Sequence, residues 1–172
     1  MKLSEFKGRK FNFRRAMWYI VQDYLFRFTP YNLNSVRCSL LRLFGARIGR
    51  GVVIRPSVRV DSPWNLKIGD YSWIGGSVIL SSLDKIFIGR NSCISQNVFV
   101  SSGTHDYRKE SFDLITSPVK IGNGVWVGAG SMIHPGVRIG DNSIVGAMSN
   151  VLKDIRVGSI NYGNPCKLVR MR

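Results

Sequence analysis

Aliphatic residues return along this chain on a six-residue beat. The leading positions are Ile48, Ile54, Val60, Ile68, Ile74, Leu80, Ile88, Ile94 and Val100, then, after a gap, Ile121, Val127, Ile133, Ile139, Val145 and Val151. All fifteen are aliphatic and glycine follows eight of them, a run that chance does not produce. The strict alternation of a half-buried sandwich strand is absent, which argues against a β-sandwich. A period of six predicts three short strands and three tight turns per triangular coil, each strand sending one aliphatic residue inward. Stacked coils then pair their strands in parallel, so backbone bonds are satisfied from coil to coil. Glycine after the aliphatic suits a turn where a side chain would clash or where φ is positive. Ser57, Val58, Ser77, Val98, Val137 and Ser143 are assigned to the other inward positions. Ile121, Ile139 and Val157 are eighteen apart, whereas Ile48, Ile68 and Ile88 are twenty apart. The earlier coils therefore carry two extra residues, placed at Pro63–Trp64 and Ser82–Leu83. The expected fold is an all-β solenoid, a parallel β-helix over 47–157, with a C-terminal tail over 158–172.

Residues 1–46 follow a different rhythm. Asn12 to Phe28 sets Ala16, Met17, Ile20, Val21, Tyr24 and Phe28 at helical spacing, and Pro30 stops the run. A second helix carries Val36, Leu40, Leu41 and Phe44, with Asn34 or Ser35 as its N-cap and Gly45 closing it. Together they form an N-terminal helical cap over the open first coil, whose strand edges need covering.

Composition adds limits. The chain of 172 residues suits one domain with a real core. No apolar run approaches a membrane span, and Asp23 interrupts the N-terminal apolar stretch where a secretory signal would need continuity. Cys38, Cys93 and Cys166 have no metal-ligand spacing and read as reduced structural thiols of a cytoplasmic protein. Of the net charge of +15, nine units fall in residues 1–50, where eleven Lys or Arg face Glu5 and Asp23. That basic N-terminal face fits an anionic membrane surface or an acidic glycan.

The beat breaks between Val100 and Ile121, where SSGTHDYRKESFDLITSPVK leaves the prism as a loop over 101–118. Long excursions from compact folds are usually functional. This one carries His105, one of two histidines in the chain, with Asp106, Arg108, Lys109, Glu110 and Asp113 behind it. An imidazole is the natural base for a hydroxyl proton, and a solvated loop histidine is the plain alternative. His134, before Pro135–Gly136, is read as a surface turn residue.

The stretches LLRLFGARIG, PWNLKIGD, ISQNVFVSSGTHD, NGVWVGAGSMIHPGVRIGDNSIVGAMSNVLKD and YGNPCKLVR resemble the hexapeptide-repeat, left-handed parallel β-helix acyltransferases. The chain is most similar to the colanic-acid-type exopolysaccharide O-acetyltransferases, and more distantly to galactoside and maltose acetyltransferases. The resemblance covers nearly the whole chain. It implies left-handed coiling, a homotrimer with the site between neighbouring prisms, acetyl-CoA as donor and a sugar or glycan acceptor, and no metal. It assigns His105 as general base and the Ala129 N–H as oxyanion donor, and some relatives carry Ser there. Asp106 orients His105 or binds sugar. Trp126, Gly128, Ala129, Ala147 and Ser149 fall on the path of the acyl donor, and Lys153, Lys167 and Arg170 near its phosphates. Ser77, Asp106 and Arg108 fall on the acceptor side.

The resulting expectation is an acetyl-CoA-dependent sugar O-acetyltransferase of surface polysaccharide biosynthesis, cytoplasmic and able to work at the inner membrane surface. Peripheral membrane contact through the basic N-terminal helices is part of that reading. N-acetylation of an amino sugar and a non-catalytic hexapeptide scaffold are the rivals. A three-histidine zinc site within one subunit is excluded by the histidine count, and no module for nucleic-acid recognition is present, so no nucleic acid partner is expected.

Overall fold

The computed structural model describes residues 12–172; the first eleven residues of the expected 1–46 cap, Glu5 among them, lie outside the described residues. Three parallel sheets form the sides of a triangular prism. The first holds the strands Arg47–Ile48, Leu66–Ile68, Ile86–Ile88, Val119–Ile121 and Arg138–Ile139. The second holds Val53–Ile54, Trp73–Ile74, Cys93–Ile94, Trp126–Val127, Ile144–Val145 and Ser159–Tyr162. The third holds Arg59–Val60, Ile79–Ser81, Phe99–Ser101, Met132–Ile133 and Asn150–Val151. Register is in phase from coil to coil: Ile48 pairs Ile68, Ile68 pairs Ile88, Ile88 pairs Ile121, and Ile121 pairs Ile139. The fifteen leading aliphatics are buried in one continuous core.

The second inward position lies two residues before each leading aliphatic. Val52, Val58, Val78, Val98, Val125 and Val137 fill it in some coils, and Ser72, Ser92, Ser131, Ser143 and Ser149 in others. Each of these five serines reaches a carbonyl: Ser72 Oγ donates to Gly89 O at 2.6 Å and Ser92 Oγ to Gly122 O at 2.8 Å. The expected inward Ser57 and Ser77 instead sit exposed at turns, where Ser57 Oγ accepts from Ser77 N at 2.9 Å. Val157 also departs from expectation. It is exposed, and Ile155 bridges Ile139 in its place because the last coil is two residues short. The parallel second sheet continues beyond residue 157 through Ser159–Tyr162, and Lys167–Met171 folds back on it antiparallel. The extra residues of the early coils form a 3₁₀ turn at Pro63–Asn65 and a bend at 82–85.

The cap comprises α1 (Phe13–Val21), which runs on into a π-helical turn at Gln22–Phe26, and α2 (Asn34–Leu43), closed by Gly45 with φ of +94°. Asn12 caps α1 by accepting from Arg15 N at 3.2 Å. The cap supplies side chains where a preceding coil would supply backbone. Trp18 Nε1 donates to Val60 O and Gln22 Oε1 accepts from Val60 N, both at 2.6 Å. Asn34 Nδ2 donates to Val52 O and its Oδ1 accepts from Ile54 N, at 2.7 and 2.8 Å. Arg42 donates to Ile48 O at 3.0–3.1 Å. The free edges of all three sheets are thereby met. Asn34 consequently caps the solenoid rather than α2, whose N-cap position is Leu33 with no side-chain bond. The inward face of α1 also differs from expectation. Trp18, Gln22 and Phe26 are buried, while Met17, Ile20, Tyr24 and Phe28 face out.

Candidate active site

The chain leaves the prism at the edge where the third sheet turns toward the first. The excursion is a β-hairpin whose strands, Gly103–His105 and Leu114–Thr116, pair antiparallel, with His105 opposite Leu114. Its base is tied to the solenoid: Ser117 N donates to Ser102 O at 2.9 Å and Gly136 N to Ser117 O at 3.3 Å. Ser102 is fully buried, and its hydroxyl donates to Ser81 O and Asp84 O. A rigid base and a short strand thus carry His105 outward to a half-buried position.

A hydrogen bond and a ring stack hold the imidazole. Its Nδ1 lies 2.8 Å from Phe112 O, and its ring stacks on the Phe112 ring at 4.4 Å with the planes 1° apart. A carbonyl oxygen only accepts, so Nδ1 carries the hydrogen and the lone pair of the neutral ring sits on Nε2. Phe112 holds φ of +50°, the turn geometry that brings its carbonyl back to His105. Asp106 Oδ1 accepts from Arg108 N at 3.1 Å, an Asx turn that shapes the hairpin tip. Arg108 is exposed beside the Tyr107 ring. Phe112 was not singled out in the sequence; an aromatic inside a polar excursion was the only available signal.

The other expected residues stand elsewhere on the prism. Ala129 and Ser77 occupy the edge between the second and third sheets, at the opposite end of the third-sheet strands from the hairpin. The Ala129 N–H meets no acceptor among the described residues, while its carbonyl accepts from Met148 N at 2.8 Å. Trp126 is 52% exposed on the second sheet, with Nε1 donating to Ser95 Oγ at 3.0 Å. Gly128 is buried against the next coil, where a Cβ would meet Ala147 N at 2.5 Å. Ala147 is exposed at the same edge. Ser149 is not on that outer surface: it is 1% exposed, and its hydroxyl donates inward to Gly146 O. Lys153, Lys167 and Arg170 are exposed near the C-terminal end of the solenoid. Ser77, with φ of +56°, lines a groove of about 230 Å³ together with Gln22, Asp23, Arg27, Ser57 and Arg59. No sequence motif marks the cap's share of that groove.

Cys93 stands opposite Trp126 on the neighbouring strand. Burial pushes its thiol above the ordinary value, and does the same to Cys38 and Cys166, so all three stay protonated at neutral pH. Among the described residues no group of three or more His, Cys, Asp or Glu stands together as a metal site. His134 is half-buried and hydrogen-bonded through Nε2 to Asn150 Oδ1 at 2.7 Å, a turn contact rather than a free surface ring.

Residues 118–153 match the family model of the bacterial transferase hexapeptide (six repeats). The chain is 42% identical over 156 residues to WcaF of Escherichia coli (strain K12), which is named as a colanic acid biosynthesis acetyltransferase; the match spans 91% of this chain and 86% of that one. A maltose O-acetyltransferase from Clostridium difficile 630 superposes with a TM-score of 0.84 at 31% identity, covering 92% of this chain and 86% of that chain. A galactoside acetyltransferase solved in complex with coenzyme A superposes with a TM-score of 0.85 at 30% identity, covering 92% and 80%. Repeat, prism and relatives agree, and the chain belongs to the hexapeptide-repeat acetyltransferases, a family of acyltransferases.

Proposed function

We propose that this protein transfers the acetyl group of acetyl-CoA to a sugar hydroxyl in surface polysaccharide biosynthesis, directly and with His105 as general base. The observation that carries the reading is the His105–Phe112 contact. It supports a ring held with Nδ1–H committed to a carbonyl and Nε2 as the basic atom, which is the tautomer a hydroxyl proton requires. Acetyl-CoA supplies the acetyl group as a thioester, and coenzyme A leaves as the free thiol.

His105 Nε2 takes the proton from the attacking hydroxyl and returns it to the departing sulfur. The Ala129 N–H donates to the carbonyl oxygen as negative charge gathers there. Losing a donor of that kind costs about 3 to 4 kcal/mol of barrier. Trp126, Gly128 and Ala147 offer an exposed indole beside a flush edge against which a flexible arm can lie. Lys153, Lys167 and Arg170 offer cations to its phosphates. Burial holds the Cys93 thiol above its ordinary value, which makes it a poor candidate for an acyl-cysteine route. Ser77, with Asp106 and Arg108, is placed on the acceptor side. Asp106 acts through the hairpin turn it caps.

The site draws on two prism edges that one chain keeps apart. That separation supports a homotrimer in which the hairpin of one subunit meets the edge of its neighbour bearing Ala129 and Trp126. The protein is placed in the cytoplasm, at the inner membrane surface where envelope glycans are assembled. The direct test is to incubate purified protein with acetyl-CoA and a panel of sugars and amino sugars, following thiol release and treating products with hydroxylamine. The expected product is a hydroxylamine-labile ester. A stable amide would make the enzyme an N-acetyltransferase, and no turnover with any acceptor would favour a non-catalytic scaffold.

A further inference from the structure

The cap has two apolar faces, and the solenoid accounts for only one. Trp18, Gln22 and Phe26 turn inward onto the first coil. On the opposite side of the same helical run, Phe13, Met17, Ile20, Tyr24 and Phe28 are 70, 41, 56, 72 and 75% exposed. Their spacing of four, three, four and four residues is one helical stripe. A surface helix with nothing to bind carries polar residues there. α2 repeats the pattern, with Arg37, Cys38 and Leu41 inward while Val36 and Leu43 are 40 and 77% exposed. Two adjacent helices with unpartnered apolar faces mark a contact surface.

Position and charge identify the occupant. The inward faces of the cap engage the first strands, so the outward faces look away from the end of the prism. In the homotrimer proposed above, subunits packed side by side would meet along the sides of the prism. The only acidic residue within 12–50 is Asp23, and Arg59 pairs with it at 3.1 Å. Arg27 flanks the stripe, and Lys2, Lys7, Arg9 and Lys10 precede it in the chain. An apolar stripe carrying tyrosine, in a stretch of sequence where Lys and Arg far outnumber Asp and Glu, matches the headgroup–acyl boundary of an anionic bilayer. A nucleic acid would use the cations and leave the stripe in water.

We propose that the outward faces of α1 and α2 dock the protein on anionic lipid, with the prism axis pointing away from the membrane. This deepens the inner-membrane placement and rests on that reading for its purpose. In a trimer of parallel prisms the three caps share one end, so docking is multivalent. No helix among the described residues is long and apolar enough to cross the membrane; contact is peripheral.

The test is co-sedimentation of the full chain with phosphatidylglycerol-containing vesicles and with phosphatidylcholine vesicles. The parent is expected to bind the anionic vesicles, each basic residue at the surface contributing up to roughly fivefold and weakening with salt. Ile20→Glu/Tyr24→Glu is expected to lose about tenfold or more of that binding, and the milder Ile20→Ser/Tyr24→Ser pair to lose part of it. Equal, poor binding of the parent to both vesicle types overturns the proposal. So does undiminished binding by both variants, or a changed oligomeric mass in them, which would assign the stripe to a subunit contact. Binding by the parent to duplex DNA in preference to anionic vesicles would also overturn it. Thiol release with a soluble acceptor, run in parallel, is expected to be equal in parent and variants. Its absence in all of them would count against acetyl transfer and leave the vesicle result to decide docking.

Discussion

The glycine that follows so many leading aliphatics is required by the next coil rather than by its own backbone. Gly69 has no positive φ, yet a Cβ there would lie 2.6 Å from Arg90 N. The left-handed residue stands two places further on, at Gly51, Tyr71, Asn91, Gly124 and Asn142 along one edge. Asparagine tolerates that geometry, which is why the position is not always glycine. The aspartate or asparagine after the glycine bridges coils: Asp70 Oδ1 accepts from Arg50 N at 2.7 Å and Asp141 Oδ1 from Asn123 N at 2.9 Å. The backbone and side-chain N–H groups of Asn123 hold the Asp141 carboxyl below its ordinary value. Gly69→Ala must push two coils apart, and we expect a loss of about 1–3 kcal/mol, read as a lowered thermal midpoint with an unchanged fold by circular dichroism. Ser77 and Ser57 were misread at this scale because small residues occupy both inward sites and turns. Their sequence neighbours do not separate the two.

At the scale of elements, the cap is held by a buried arginine. Arg37 is fully buried, and its guanidinium donates to Ile54 O, Pro30 O, Tyr31 O and Thr29 Oγ1 at 2.7–2.9 Å. Burial pulls its pKa down, and the ring of carbonyls takes the place of a carboxylate. It joins the linker between the helices to the first second-sheet strand. Arg37→Leu would leave those carbonyls unpaired, at a cost of about 3 kcal/mol. Hydrogen exchange is expected to quicken in residues 12–45 first, while the later coils keep their protection. The six-residue beat was legible because each leading aliphatic has one environment, the prism core. The face of α1 was not, because both of its faces are apolar and a period of 3.6 marks stripes without saying which is covered. The hidden one is identified by Trp18 and Gln22 bonding Val60, a contact 42 and 38 residues away in sequence. The hairpin was legible as a gap in the beat, and His105 by its chemistry. Phe112, 7 residues on, was not, since a backbone carbonyl leaves no mark in the sequence.

At the scale of the molecule, the prism separates functions by edge and by end. The base projects from one edge, the candidate oxyanion donor and indole stand toward another, exposed cations gather near the C-terminal end, and the apolar cap closes the N-terminal end. An account built on a poised His105 is tested most directly by the turnover number for acetyl-CoA of His105→Ala beside the parent, with the acceptor that the parent uses best. The hydrogen bond and the stack on Phe112 both lie within the hairpin, outside the prism core, so thermal midpoint and oligomeric mass are expected to match the parent. The turnover number is expected to fall by about 10²- to 10⁴-fold. A variant that is equally folded and acetylates as fast as the parent would contradict the account.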